Sequence, residues 1–270
     1  MKVIFFDIDG TLIDFDGVMS DSTRQALDLA KAQGHKLALC TGRNEIQIYP
    51  LLSEYGFDAI VSAAGACVSC EGQEVFHHFI DMEHLKKFVD AFDGRGICFG
   101  VQATSGIYVN EESKRLMQEK FRSLGVGDDM MDTIVDRLVI DNDLAAHEDV
   151  EKTFYNEAPE TVEQVQDMLG DYFLVQEGSF SEPDEYSGEI TCRGIMKATG
   201  MGHVLKYFGV DRMDSVAFGD GPNDLDMMEY AGIGVAMGNA REEVKDIADM
   251  VTDDIHADGI YNAMKKLELI

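Results

Sequence analysis

The segment Val3-Ile4-Phe5-Phe6-Asp7-Ile8-Asp9-Gly10-Thr11 constrains the fold more than any other stretch of this chain. An apolar run this short reads as a buried central strand of a parallel sheet. Such sheets collect their chemistry at the carboxyl ends of their strands. Two carboxylates, Asp7 and Asp9, stand at that end here. Like charges so close repel each other, which costs stability unless a cation lies between them. A divalent-metal site in which one aspartate also does chemistry explains the pair. Taken alone, Asp-Gly-Thr is also ordinary turn chemistry with Asp9 as a cap, so the rest of the chain has to decide.

The chain has 270 residues, 45% of them hydrophobic, which suits a globular protein of one large or two medium domains. Its 51 acidic against 22 basic side chains give a net charge of −29. That field repels nucleic acid and anionic membranes, so neither is an expected partner. An anionic substrate would need a local cation to overcome it. No apolar run approaches the ~18 residues of a membrane span, and the residues before Asp7 are too few for a signal peptide. Five cysteines, an odd number, fit reduced thiols in a cytoplasm better than a disulfide framework. A cytoplasmic protein, a monomer or weak dimer, is expected.

Strand and helix alternate in the first third. A helix begins at Ser22 with Asp21 or Ser22 as cap and ends at Gly34; Lys36–Cys40 is a second strand. A helix through Leu51–Tyr55 follows, perturbed by Pro50, and Ala59–Val61 is a third strand. The middle differs: more alternating strands, such as Tyr172–Val175, and amphipathic helices near 83–92, 111–124 and 161–169. This predicts a mixed α+β insert with its own sheet, one face covered by helices. Alternation of strand and helix then returns with Ser215–Phe218 and Gly234–Ala236. The expected fold is an α/β, Rossmann-like parallel-sheet core from 1–81 and 186–270, with an inserted α+β domain at 82–185.

Four segments stand at strand ends or helix starts: Asp7/Asp9; Thr41-Gly42-Arg43; Lys197; and Gly219-Asp220-Gly221-Pro222-Asn223-Asp224. They supply two acidic clusters, a hydroxyl, a lysine and helix N-termini, which is the inventory for phosphoryl transfer. Each has a plain reading when isolated. Thr41 and Gly42 fit a cap and a turn, Arg43 a loop brace, Lys197 a solvated lysine, and Asp220 and Asp224 turn formers. Their joint occurrence in this order is what favours chemistry.

In these motifs the chain resembles the haloacid dehalogenase superfamily, in particular its Cof-type phosphatases with a large C2 cap inserted mid-chain. Val235-Ala236-Met237-Gly238-Asn239-Ala240 and Asp258-Gly259 extend the resemblance over nearly the whole length. It implies Asp7 as nucleophile, forming an aspartyl-phosphate, and Asp9 as the acid and base of the two half-reactions. It implies Mg²⁺ held by Asp7, the Asp9 carbonyl and Asp220, with Asp224 reaching the metal through water or orienting Lys197. Thr41 and Lys197 would orient the phosphoryl oxygens, and Gly42, Arg43 and Asn223 would contact substrate. Dehalogenases and ion-pumping ATPases of this superfamily lack an aspartate two residues after the nucleophile. Asp9 therefore favours hydrolysis of a small phosphorylated metabolite, a sugar phosphate first, or phosphomutase chemistry of the phosphomannomutase type. The gap from Asp9 to Thr41 has no room for a cap, so 82–185 must be the cap.

The sequence departs from that pattern at Ala64, where relatives carry Asn, and at Ala198, where Gly is common. Cys192-Arg193 replaces a more usual proline-bearing stretch. These changes leave the catalytic set intact and bear on the non-phosphate part of the substrate. A phospho-ligand-binding protein without turnover is the reading from another class, and the intact Asp7, Asp9, Lys197 and Asp220 argue against it. Cys67-Val68-Ser69-Cys70, with His77 and His78 nearby, has no second Cys pair, so a zinc or redox site is not expected there.

Overall fold

The structure, a computed structural model, describes residues 1–14, 17–123, 137–177 and 186–270. Two compact units result: 1–77 with 195–270, and 78–194.

The first unit is built on an eight-stranded sheet. Its strands are β1 (Val3–Phe6), β2 (Lys36–Cys40), β3 (Ala59–Ser62), β4 (Cys67–Cys70), β5 (Gln73–His77), β12 (Ser215–Gly219), β13 (Ile233–Ala236) and β14 (Met250–Val251), in the order β14-β13-β12-β1-β2-β3-β4-β5. Strands β14 through β3 run parallel; β4 runs antiparallel to β3, and β5 antiparallel to β4. Every residue of β1 is buried, as its unbroken apolar run requires of a strand covered on both faces. The chain leaves β1 toward β2 and returns later as β12 on the opposite side. This reversal is where doubly wound sheets place ligands.

Helix α1 (Asp21–Ala32) buries Thr23, Ala26, Leu27 and Ala30, one stripe at helical spacing. Its cap is Ser20, whose hydroxyl accepts from the Thr23 amide at 3.1 Å, not Asp21 or Ser22 as the sequence suggested. Pro50 does not disturb helix α2 (Pro50–Tyr55). It is the first residue, where a missing N–H costs nothing.

The second unit holds a six-stranded sheet, from β6 (Cys98–Ala103), β7 (Gly106–Val109), β8 (Leu138–Ile140), β9 (Val150–Ala158), β10 (Phe173–Glu177) and β11 (Tyr186–Cys192), in the order β10-β11-β9-β6-β7-β8. Because β11 pairs with β9 and β10, residues 186–194 lie with this unit rather than with the core to which the sequence reading gave them. Helices α3 (Met82–Phe92), α4 (Glu111–Ser123) and α5 (Val162–Leu169) belong here; Leu124, the expected end of α4, lies outside the described residues. Phe92 of α3 stacks on Tyr155, while Met117 and Phe121 of α4 pack with Phe154. Consecutive residues of a strand point to opposite faces. Helices therefore pack on both faces of this sheet, not on one as expected.

Back in the first unit, the chain adds α6 (Lys197–Phe208), α7 (Leu225–Tyr230), α8 (Glu242–Ile247) and α9 (Gly259–Lys266). No helix among the described residues is long and apolar enough to cross a membrane.

Candidate active site

Strand register assembles the site. Phe6 pairs with Leu39 on one side and Phe218 on the other, so the three strands end nearly level. The next residues, Asp7, Thr41 and Asp220, therefore emerge together. The Asp7 amide donates to Phe218 O and the Thr41 amide to Val61 O, both at 2.9 Å, so the parallel ladder carries on to each residue.

Lys197, the first residue of α6, is almost wholly buried. Its ammonium donates to Asp7 Oδ1 at 2.6 Å and to Asp224 Oδ1 at 2.5 Å. The other Asp224 oxygen accepts from the amides of Asp220 and Gly221, both at 2.9 Å. Asp224 is thus committed on both oxygens, anchoring Lys197 and the loop after β12. Burial opposes the charge on Lys197, but Asp224 and Asp7 outweigh it and its pKa rises. Burial, then the neighbouring Asp224, pushes the Asp7 carboxyl well above its ordinary range despite the pull of Lys197.

Asp220 completes the acidic group. Thr11 donates its hydroxyl to Asp220 Oδ1 at 2.7 Å. Gly10 has φ +84°, and a Cβ there would collide with the Asp220 carboxylate, so only glycine fits. Burial first and Asp224 second lift Asp220 to about 7. Oxygens of Asp7, Asp220 and Asp224 all lie within 4.8 Å of one another. Three carboxylates around one ammonium leave a surplus of buried negative charge. A hard divalent cation with oxygen ligands supplies what this donor set lacks, so the residues fit such an ion.

Asp9 stands in a second, more open group. Arg43 donates from Nε to Asp9 Oδ2 at 2.7 Å and from Nη2 to Asp9 Oδ1 at 2.8 Å. The Tyr49 hydroxyl accepts from Arg43 at 3.0 Å and donates to Asp9 Oδ1 at 3.3 Å. Buried Thr41 accepts from the Arg43 amide at 3.1 Å, which shapes the turn through Gly42. Asn223 is half-buried in the short turn Pro222–Asp224.

The catalytic, substrate-binding and metal-ligating candidates from the sequence all lie in the first unit, at or beside these strand ends. Sequence reading missed several that support them. Thr11 belongs to the first motif, but only the partner it meets gives it a role. Asp226 accepts from the Ala198 amide at 2.8 Å and so ties α7 to the turn that bears Lys197. Ala63 and Ala64 both hold left-handed φ, 47° and 54°. Their amides donate to Arg43 O at 2.7 Å and Thr41 O at 3.0 Å. A left-handed alanine costs about 1–2 kcal/mol, and this strain sits where Asn, tolerant of that conformation, was expected at 64.

A helix-covered parallel sheet with an acidic cluster and a buried lysine at its topological switch is the arrangement of an α/β enzyme site. The sequence profile of haloacid dehalogenase-like hydrolases matches residues 4–264, and the chain belongs to that family, as its motifs led one to expect. YkrA of Bacillus subtilis is 31% identical over 280 residues, covering 100% of this chain and 98% of its own. The 5-amino-6-(5-phospho-D-ribitylamino)uracil phosphatase YitU of Bacillus subtilis is 27% identical, covering 98% and 96%. Among solved structures, the subclass IIB sugar phosphatase BT4131 superposes with a TM-score of 0.80 at 26% identity, covering all of both chains.

Proposed function

We propose that this enzyme is a Mg²⁺-dependent phosphatase that hydrolyses small phosphomonoesters, sugar and sugar-alcohol phosphates first, through an aspartyl-phosphate on Asp7. The observation that carries the reading is the buried Asp7–Lys197–Asp224 chain, which fixes a carboxylate against a cation at 2.6 Å. A fixed carboxylate gains from proximity and desolvation what it lacks as a nucleophile in water. Substrate class is supported by two relatives: YitU is named for a phosphorylated ribityl compound and BT4131 is described as a sugar phosphatase.

In this reading an Asp7 oxygen attacks phosphorus as the bond to the leaving oxygen breaks. Asp9 gives its proton to that oxygen. Water then attacks the aspartyl-phosphate, Asp9 takes the proton, and inorganic phosphate leaves with Asp7 restored. Lys197 and Thr41 orient phosphoryl oxygens; Gly42, Arg43 and Asn223 line the approach. Asp7, the Asp9 carbonyl and Asp220 would hold Mg²⁺, with Asp224 acting through Lys197 and the loop. When bound, the cation neutralises charge on the phosphoryl group. Selection of the leaving group falls to the second unit.

The test is phosphate release from a panel of sugar, nucleotide and cofactor phosphates, with Mg²⁺ and with chelator. Mg²⁺-dependent release favouring sugar phosphates is the expected result. Equal rates in chelator would remove the metal from the reading. Isomer conversion without phosphate release, upon addition of a sugar bisphosphate, would replace the phosphatase by a mutase.

A further inference from the structure

We propose that the β4–β5 hairpin carries a second metal site, made by Cys67, Glu74 and His77, for a borderline divalent cation such as Zn²⁺. The sequence drew attention to Cys67 and Cys70 as a pair, but residues three apart on a strand face opposite sides. Cys70 joins the hydrophobic core with Val68, whereas Cys67 faces the other way. What Cys67 meets is His77, its direct partner across the antiparallel ladder. Cross-strand partners hold their Cβ atoms about 4.5–5.5 Å apart, within reach of one shared ion.

Glu74 reaches the same face because the hairpin is irregular. His77 and Glu74 are three apart and in a regular strand would point to opposite sides. The register shifts between Val68/Phe76 and Ser69/Glu74, which leaves Val75 as an extra residue. Such a bulge re-aims the side chains beyond it. His77 Nδ1 and a Glu74 oxygen accordingly lie 2.8 Å apart, and the ligand atoms of all three residues fall within 4.8 Å of one another. Among the described residues, this trio and the catalytic acidic group are the two that meet that condition.

The chemistry differs from that of the catalytic centre. A sulfur and a ring nitrogen beside one carboxylate favour Zn²⁺ over Mg²⁺, while the all-oxygen group of Asp7, Asp220 and Asp224 does the reverse. Accessibility is graded to suit an ion entering from solvent: Cys67 is buried, the His77 side chain is 15% exposed and that of Glu74 61%. Binding would expel the thiol proton. Water would complete a tetrahedral set. The bound ion would pin the edge strand of the core sheet one residue before the chain passes into the second unit at His78.

Co²⁺ is the probe, titrated into the full chain with excess Mg²⁺ present. A thiolate ligand gives a sulfur-to-cobalt charge-transfer band that oxygen ligands cannot produce. The expected result is such a band saturating at one equivalent, bleached by Zn²⁺, kept in Cys70→Ser and lost in Cys67→Ser. Glu74→Gln and His77→Gln should weaken Co²⁺ binding by about 10-fold or more. Glu74 is exposed enough that its variant reads binding even where Cys67→Ser fails to fold. No band in the folded wild-type protein, or a band that survives Cys67→Ser, would overturn the site.

Discussion

Arg43 holds Asp9 by both carboxylate oxygens, at 2.7 and 2.8 Å, although the two are 34 residues apart. They come from the turns after β1 and β2, neighbours in the sheet, and Tyr49 stacks beneath the guanidinium at 4.5 Å. A planar fork fixes the plane of the carboxylate as well as its place. For a group proposed to give a proton and then take one, that orientation is the useful property. Arg43→Lys keeps the charge and loses the fork, so kcat should fall about 10- to 100-fold. Steady-state phosphate release checks this. A wild-type kcat would leave Arg43 as a loop brace.

Asp7 is the sharper test of the chemistry. Asp7→Asn keeps the shape and still meets Lys197, so the circular dichroism spectrum should not change. Loss of a nucleophile costs on the order of 10⁴ or more in kcat. A variant within tenfold of wild type would rule out attack by Asp7.

Strand-end residues were legible in the sequence because each follows an unbroken apolar run, and the parallel register carries such ends to one level. Lys197 was legible only by its position in the order of motifs, since nothing local separates a buried lysine from a solvated one. Its partner Asp224 is distant in sequence, and only the fold shows that both of its oxygens are spoken for. The bulge that turns Glu74 toward His77 could not be read either, because one extra residue in a strand leaves the alternation of side chains ambiguous. The second unit was the least legible. Its strands β9 and β11 come from far apart in the chain, and the face to which α4 packs depends on tertiary contacts alone.

Thr11 presents a hydroxyl to Asp220 at 2.7 Å, a contact that fixes one of the proposed metal ligands. Thr11→Val is nearly isosteric and removes the donor. Partners that orient a metal ligand are worth about 10–100-fold in affinity, so the Mg²⁺ concentration for half-maximal activity should rise by about that factor. Thr11→Ser should restore it. A serine variant as weak as the valine would point to packing by the methyl group instead.

The raised carboxyls make a prediction about pH with a definite sign. Burial and mutual repulsion raise Asp7, and bring Asp220 to about 7, from an ordinary 3.8. Between those values the folded chain holds protons that the unfolded chain has released. Stability without metal must therefore fall as pH rises through that window, and the loss is complete above the folded value. Three pKa units correspond to about 4 kcal/mol at most. Thermal melts in chelator should show a lower Tm at about pH 8 than at about pH 5. Mg²⁺ should raise Tm more at the higher pH, where no proton competes for the oxygens. The overall charge of −29 contributes a slope of its own, so Asp220→Asn is the control. It should flatten the pH dependence and abolish most of the Mg²⁺ response. A variant that keeps both the slope and the response would show that Asp220 neither holds the proton nor binds the cation.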